Sequence, residues 1–436
     1  MFLLDKVNCP YEIVDYTETY KSIMQFNKNK TASIHQWYPF VEGYSKEFIT
    51  NIIDEIDYEP QFALDPFAGS GTTPVELQHI GIKCLSFEVS PFMHLLATVK
   101  LEQHYKTQEF IDHHITIGKF LKKPPSKIRK LISPPLAKTF QPTEGREKWV
   151  FDVDTMDGIL DIKYAISLIL DEKYRKLFSI VMASILLEVS NVYRNGKCLS
   201  YKKDWKTKSN SRKDVHDKFL TKVINLIQPD IEELEKNTVE IENIKYCIYG
   251  DVRNELSKIP DNTIDLVISS PPYLNSRDYT DIYMAELWLL DLIKDYNDLK
   301  QLRHKTFRSH VQVKHGQVEL LDIAELKSVL EKLYLKKSEF WNNDLLEMIK
   351  GYFKDMDILF AQLQLKMQPN KKVFFNVANS AYYGVEIKVD EIVSAIAENH
   401  GFKINEIREA RQLRPSSQQK DSIKSLRESV IVMTSS

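Results

Sequence analysis

Only four cysteines occur in 436 residues, and Cys9, Cys84, Cys198 and Cys247 lie far apart without a C-x-x-C pair. That excludes a disulfide framework and a cysteine-based zinc site, and it fits a reducing cytoplasm. The eleven histidines form no H-E-x-x-H and no pair at ligand spacing, and His113 and His114 point to different faces of any helix, so no metal is expected. Long apolar runs are also missing. The longest, around Leu177 to Leu187, falls well short of a bilayer span, and the opening MFLLDKVN has no small-residue cleavage site; the chain is expected to be neither secreted nor membrane-spanning. Neither sign of charge dominates: 59 basic and 61 acidic residues nearly cancel. This argues against a non-specific polyanion coat and leaves partners to be read from local patterns. No internal repeat or low-complexity tract is found.

What is present is the composition of an ordinary globular protein, with 43% hydrophobic, 28% charged and 11% aromatic residues. At roughly 150 residues per domain the chain suggests two or three domains. Ser45 reads as the N-cap of a helix that puts Phe48, Ile49, Ile52, Ile53 and Ile56 on one face. Phe62 to Asp65 reads as a short buried strand, Gly69 to Thr72 as a tight turn, and Pro74 sits in the first turn of the next helix. Lys83 to Glu88 is a second strand and Pro91 opens a helix through Lys100. Strand-helix-strand-helix begins a parallel, doubly wound α/β sheet whose carboxyl edge binds ligands.

From about Leu101 to Asn243 strand signals fade, and Ile159 to Leu170, Leu177 to Val189 and Val215 to Leu234 show helical periodicity. The sheet resumes at Ile244 to Tyr249, Ile264 to Ser269 and Lys372 to Val377, followed by a helix from Val389 to Asn399 stopped by Gly401, then by strands Phe402 to Glu409 and Ser429 to Met433. Seven strands are expected, with a second helical block from Asp281 to about Met367.

Two motifs carry the chemistry. Asp65-Pro-Phe-Ala-Gly-Ser-Gly-Thr-Thr73 joins a strand to a helix, where Gly69 and Gly71 let the backbone approach a ligand and the helix start offers unpaired N–H groups. It is neither a P-loop nor G-x-G-x-x-G. Ser269-Ser-Pro-Pro-Tyr273 ends the apolar strand Ile264 to Ile268 on the same edge. Its prolines lack N–H groups, so carbonyls there and at Ser270 can accept hydrogen bonds, while Tyr273 offers a flat stacking surface. Acceptors beside a ring suit an exocyclic amine on a planar base. A third feature runs from Arg194 to Lys213, where Arg194, Lys197, Lys202, Lys203, Lys206 and Lys208 cluster with Tyr201 and Trp205. It reads as a strip contacting nucleic-acid phosphates, against the alternative of a solvated loop.

With these motifs the chain resembles the S-adenosylmethionine-dependent DNA amino-methyltransferases, which modify N4 of cytosine or N6 of adenine. Asp65 to Thr73 is similar to their cofactor loop, and Ser270-Pro271-Pro272-Tyr273 to their catalytic (Asn/Asp/Ser)-Pro-Pro-(Tyr/Phe) motif. The resemblance implies cofactor contacts at Asp65, Phe67, Gly69, Gly71, Thr72 and Thr73, at Glu88 after the second strand, at Asp251 after the third, and at Trp37 and Tyr38 in an element packed over the cofactor. An acid at a strand end can instead cap the next helix, which leaves Glu88 and Asp251 two readings.

The resemblance further implies a Rossmann-like, seven-stranded mixed sheet of the class I methyltransferase kind. Residues 33–100 and 244–434 would form a discontinuous catalytic domain, 101–243 a helical insert that is a candidate target-recognition region, and 281–367 a second insertion. The implied partners are double-stranded DNA and a cognate restriction endonuclease. The base would be flipped out, stacked on Tyr273, and its amine oriented for direct in-line transfer without a covalent intermediate. The C5-cytosine route needs a nucleophilic cysteine, usually after a proline, and no cysteine here follows one. Serine before Pro-Pro favours N4 of cytosine, with N6 of adenine and RNA guanine-N2 as alternatives.

Overall fold

The computed structural model describes residues 9–195, 198–237, 239, 246–274, 278–312, 316–415, 419 and 422–436. Eight strands form its central sheet: β1 (Ile13–Asp15), β2 (Phe62–Asp65), β3 (Lys83–Glu88), β4 (Cys247–Tyr249), β5 (Ile264–Ser269), β6 (Met367–Ala378), β7 (Lys403–Leu413) and β8 (Leu426–Thr434). Their spatial order is β1-β7-β8-β6-β5-β2-β3-β4. All neighbours are parallel except β8, which runs antiparallel to both β7 and β6.

The expected fold class holds, with eight strands in place of seven. The additional β1 pairs with β7 only from Ile13 to Asp15, and Ile13 is 38% exposed. An edge strand this short buries no face, so no alternation marks it in the sequence. Strands β2, β3 and β5 fall where the sequence puts them, whereas the first residues expected for β4, 244 and 245, lie outside the described residues. β7 runs past Glu409 through a bulge between Glu409 and Arg411, which carries Arg411 to the sheet's ligand edge.

Every residue of β5 is buried, as a central parallel strand covered on both faces must be. Leu266 and Ile268 pack with Phe48, Ile49 and Ile52 of helix α1 (Lys46–Glu55) on one side. Ile264 and Val267 pack on the other against helices Leu345–Lys366 and Val389–Asn399. Ser45 precedes α1 as expected, but its hydroxyl donates to the Gln25 carbonyl and does not cap the helix.

Helices α2 (Thr72–His79) and α3 (Pro91–Leu101) follow β2 and β3. The chain leaves β2 toward β3 and β4 on one side and later returns through β5 to β6 on the other. The loops after β2 and β5 therefore flank the point where strand order reverses, the usual crevice of an open α/β sheet.

Residues 101–243 contribute helices Thr107–Lys122, Val153–Ser167, Glu172–Val189, Arg212–Lys222 and Gln228–Lys236, plus a hairpin of Val192–Arg194 with Leu199–Tyr201. Their core is continuous with Phe92, Leu96 and Val99 of α3 and with Ala285, Leu287 and Leu289. The helical run expected from Val215 to Leu234 is interrupted by a π-turn at Val223–Ile227. Pro229 lies just beyond it, and lacking an N–H it cannot continue the i to i−4 ladder.

Candidate active site

The loop from β2 to α2 is built on two glycines with left-handed backbone, Gly69 at φ +52° and Gly71 at φ +83°. They do different work. A Cβ on Gly71 would stand 3.1 Å from Ala97 Cβ and 3.2 Å from Ala97 Cα, so this glycine lets α2 start hard against α3. A Cβ on Gly69 would meet nothing closer than Phe40 Cζ at 3.6 Å, and Gly69 lines an open cleft. From below, Lys100 Nζ donates to the Ser70 carbonyl at 3.1 Å. Burial pushes that amine down to about 7. Sequence reasoning missed Lys100, because a lysine in the last turn of a helix ordinarily reads as solvated.

Asp65 is 1% exposed and turns inward. Its Oδ1 accepts from Ser269 Oγ at 2.6 Å and from the Phe67 N–H at 3.0 Å, which ties the two motifs together across 204 residues. Burial pushes its carboxyl up to about 6. Thr73 Oγ1 lies 2.5 Å from the Tyr44 hydroxyl, and Thr72 lines the cleft beside it.

The register of β5 against β6 pairs Ser269 with Phe375, so Ser270 and Asn376 emerge side by side at the carboxyl edge. Tyr273 is held by its hydroxyl, which donates to Glu428 Oε1 at 2.6 Å and accepts from Asn376 Nδ2 at 2.5 Å. Ser270 Oγ approaches the same hydroxyl at 3.4 Å, and Arg411 Nε closes the group on the other oxygen of Glu428. Asn376, Arg411 and Glu428 were not singled out from sequence. Each lies in a strand whose period reports burial and not a role, and no motif brackets them.

Both loops open on one cleft of about 1300 Å³, lined by Gly69, Thr72, Thr73, Glu88, Asp251 and the whole of Ser270 to Tyr273. The Glu88 carboxylate accepts from the Gly69 N–H at 2.8 Å and the Ser90 N–H at 2.7 Å. A carboxylate can accept about four bonds, so Glu88 keeps acceptor capacity toward the cleft. Burial raises its pKa to about 7. Asp251 lines the same cleft and also caps the next helix: Oδ1 accepts from the Arg253 N–H at 3.0 Å, and its carboxylate pairs with the Arg253 guanidinium at 2.6 Å. Arg253 in turn lies 5.0 Å over the Phe307 ring, and Phe307 meets Phe67 edge-on at 4.8 Å. These two rings pack against each other on the cleft wall.

Comparison with known proteins meets this geometry. The Type II methyltransferase M.BsoBI of Geobacillus stearothermophilus is 27% identical over 453 residues, covering 93% of this chain and 86% of its own. M.AvaI of Anabaena variabilis, also a Type II methyltransferase, is 25% identical over 424 residues, covering 89% and 83%. No family model matches. The chain is thus similar over about nine-tenths of its length to Type II methyltransferases.

Trp37 and Tyr38 do not line the cleft, contrary to expectation. They are 0% and 1% exposed. Trp37 Nε1 donates to Asp230 Oδ2 at 2.7 Å and Tyr38 OH donates to Glu286 Oε1 at 2.6 Å. Phe40, two residues on, is the aromatic that reaches the cleft, stacked near Tyr283 at 6.3 Å.

The basic strip also needs correction. Arg194 is internal, donating to Glu286 Oε1 at 2.6 Å and to the Tyr38 hydroxyl at 2.8 Å, with its guanidinium 4.3 Å over Tyr283. Lys202 spends its ammonium on the carbonyls of Leu187, Glu188 and Ser190, closing the C-terminus of helix Glu172–Val189. Lys208 pairs with Asp204 at 2.6 Å, whereas Lys203 and Lys206 are exposed and Lys206 lies 5.6 Å over Trp205. Lys197 falls outside the described residues. Among the described residues no cluster of three or more His, Cys, Asp and Glu could hold a metal, and no helix is long and apolar enough to cross a membrane.

Proposed function

We propose that the protein transfers a methyl group from S-adenosylmethionine to the exocyclic N4 of cytosine in double-stranded DNA, as the modification half of a restriction-modification pair with a cognate endonuclease. The observation that carries this reading is the single cleft shared by the glycine loop and Ser270 to Tyr273. The residues present fit the cofactor. Gly69 leaves open space where a side chain would otherwise intrude, Glu88 has acceptor capacity for ribose hydroxyls, and Phe67 with Phe307 gives the cleft an apolar wall for a purine ring to lie against. Bound there, the cofactor supplies an electrophilic methyl on a sulfonium.

The chain's own work is positioning. A cytosine flipped from the duplex stacks on Tyr273, whose ring is fixed through its hydroxyl by Glu428 and Asn376. Ser270 and the Pro271 carbonyl then accept the amine hydrogens, turning the nitrogen lone pair toward the methyl. Ser270 is uncharged and shorter than aspartate, which suits the cytosine edge. Residues 33–100 and 244–434 act as the catalytic unit. No described residue of 101–243 lines the cleft, so in this reading the insert meets DNA away from the flipped base.

The test is to express the protein in a host without its own DNA methylation, digest the DNA to nucleosides and identify them by mass spectrometry. N4-methylcytosine is the expected product. N6-methyladenine alone overturns the base assignment and keeps the mechanism, 5-methylcytosine overturns both, and unmodified DNA overturns the reading.

A further inference from the structure

Both hydrogens of the target amine have acceptors in the reading above, Ser270 and the Pro271 carbonyl, but a cytosine carries two more polar atoms along the same edge. N3 and O2 are acceptors, and a base taken from its duplex loses the guanine donors that met them. A pocket with no donor there leaves both unmatched, at a cost comparable to the hydrogen bonds forgone. The floor of the cleft has few donors to spare. The Tyr273 hydroxyl gives its proton to Glu428 Oε1 at 2.6 Å, and Asn376 Nδ2 spends its hydrogens on Tyr273 and Glu428.

Arg411 is the exception. Along β7 and β8 the register pairs Glu409 with Ser429 and then Arg411 with Glu428. The bulge skips Ala410, which is fully buried; without it Ala410 would stand opposite Glu428 and the guanidinium would turn to the other face. Residues directly opposed across a ladder share a face, and Arg411 Nε donates to Glu428 Oε2, one carboxylate away from the Tyr273 hydroxyl. Arg411 lines the cleft with its side chain 23% exposed. A guanidinium carries five N–H donors. Nε uses one, and among the described residues nothing takes the two terminal amino groups. Neither of these is sealed from solvent, so Glu428 fixes the plane of the fork and leaves its terminal donors accessible.

We propose that Arg411 reads the target base, its terminal amino groups donating to N3 and O2 of the flipped cytosine while Ser270 and Pro271 hold the amine. The inference rests on the cytosine reading above and supplies what Ser270 alone does not, a reason for adenine to be refused. With its amine on Ser270, adenine presents N1 where cytosine presents N3, but only a C–H where cytosine presents O2, so half of the fork is left without an acceptor. A site built to hydrogen-bond a group discriminates strongly against a ligand that lacks it. The same guanidinium balances Glu428, which holds the stacking ring, so the residue that reads the edge also keeps the platform in place.

The experiment is a cycle between the side chain and the base edge. Once the methylated sequence has been located in the DNA of an expressing host, affinity is measured with S-adenosylhomocysteine present for two duplexes. One has the natural target cytosine; the other has the 2-aminopyridine C-nucleoside, which keeps the amine and the ring nitrogen and lacks only O2. Its altered pairing with guanine affects every protein alike and cancels when ratios are compared. The preference for cytosine should shrink roughly tenfold or more in Arg411→Ala, the size of a hydrogen bond to a charged group. Arg411→Lys keeps a cation against Glu428 should the alanine variant fail to fold, and the preference should shrink there too, because one ammonium does not reproduce the fork. A ratio unchanged from wild type in a folded variant overturns the inference. Equal losses on both duplexes with a flatter salt dependence would place Arg411 on a phosphate, and equal losses without it would leave Arg411 as the partner of Glu428 only. Failure of the underlying reading is distinguishable, since host DNA would then carry N6-methyladenine or no methylated amine, and the inference would fall with it before any variant is made.

Discussion

Replacing Gly71 by alanine separates a packing glycine from a ligand-facing one. Two costs follow from its surroundings. The residue sits at φ +83°, a left-handed conformation that costs a residue with a Cβ about 1–2 kcal/mol. The new methyl would then stand 3.1 Å from Ala97 Cβ and 3.2 Å from Ala97 Cα. The second atom is backbone of α3 and cannot rotate away, so overpacking adds about 1–3 kcal/mol. Together Gly71→Ala should destabilise by about 2–5 kcal/mol, a large part of the about 5–15 kcal/mol that holds a typical protein folded. Urea unfolding followed by circular dichroism measures it. Ala97→Gly in the same chain removes one of the two contacts and should recover part of the overpacking cost while leaving the backbone cost. Gly69→Ala is the counterpart: its φ is +52° but the nearest atom is 3.6 Å away. It should keep more of the stability and lose affinity for S-adenosylmethionine in calorimetry. A Gly71→Ala protein with the wild-type urea midpoint would refute the packing assignment.

Four further outcomes are expected. Burial lifts the Asp65 carboxyl from 3.8 to about 6, so the folded chain binds this proton more tightly than the unfolded one. Wild-type protein should therefore lose stability against Asp65→Asn as pH rises through that window, and parallel urea midpoints across it would contradict this. Glu88 titrates near 7 and accepts best when ionised; cofactor affinity should climb as pH passes 7, and the slope should vanish in Glu88→Gln if calorimetry is repeated there. Arg194→Ala strands the buried Glu286 carboxylate and should cost about 3–5 kcal/mol in unfolding, while the salt dependence of DNA binding stays as it was. Ser270→Ala should depress turnover far more than DNA affinity, and equal losses in both would place Ser270 in binding instead.

How much of this could be read from the sequence depends on how local the signal is. β2, β3 and β5 and helix Val389–Asn399 announce themselves because burial on one or both faces imposes a period on consecutive residues. The glycine loop and Ser270 to Tyr273 are legible for a related reason: each packs its chemistry into fewer than ten neighbouring positions. Asn376, Arg411, Glu428 and Phe307 contribute one residue each from separate elements, and only the strand register, with the packing of Phe307 on Phe67, brings them to one cleft. Trp37 and Tyr38 were expected in an element packed over the cofactor, but Asp230 and Glu286, far away in sequence, supply the partners that draw both side chains inward. Arg194 and Lys202 show the same limit from the opposite side. A run of cations looks solvent-facing until a buried carboxylate or the exposed carbonyls of a helix end are found within reach.

The pairing of β2 has a consequence for synthesis. β3 follows β2 after a single helix, but its other neighbour, β5, is joined at Ala63 and Leu64 by Leu266 and Val267, about two hundred positions downstream. On the ribosome, one edge of β2 must wait for that partner while the intervening helices, rich in local contacts, emerge and collapse first. An apolar strand with an open edge is a template for pairing with another nascent chain. The insert is thus a delay line as well as a structural element, and shortening it would bring the two halves of the cleft together sooner after translation begins.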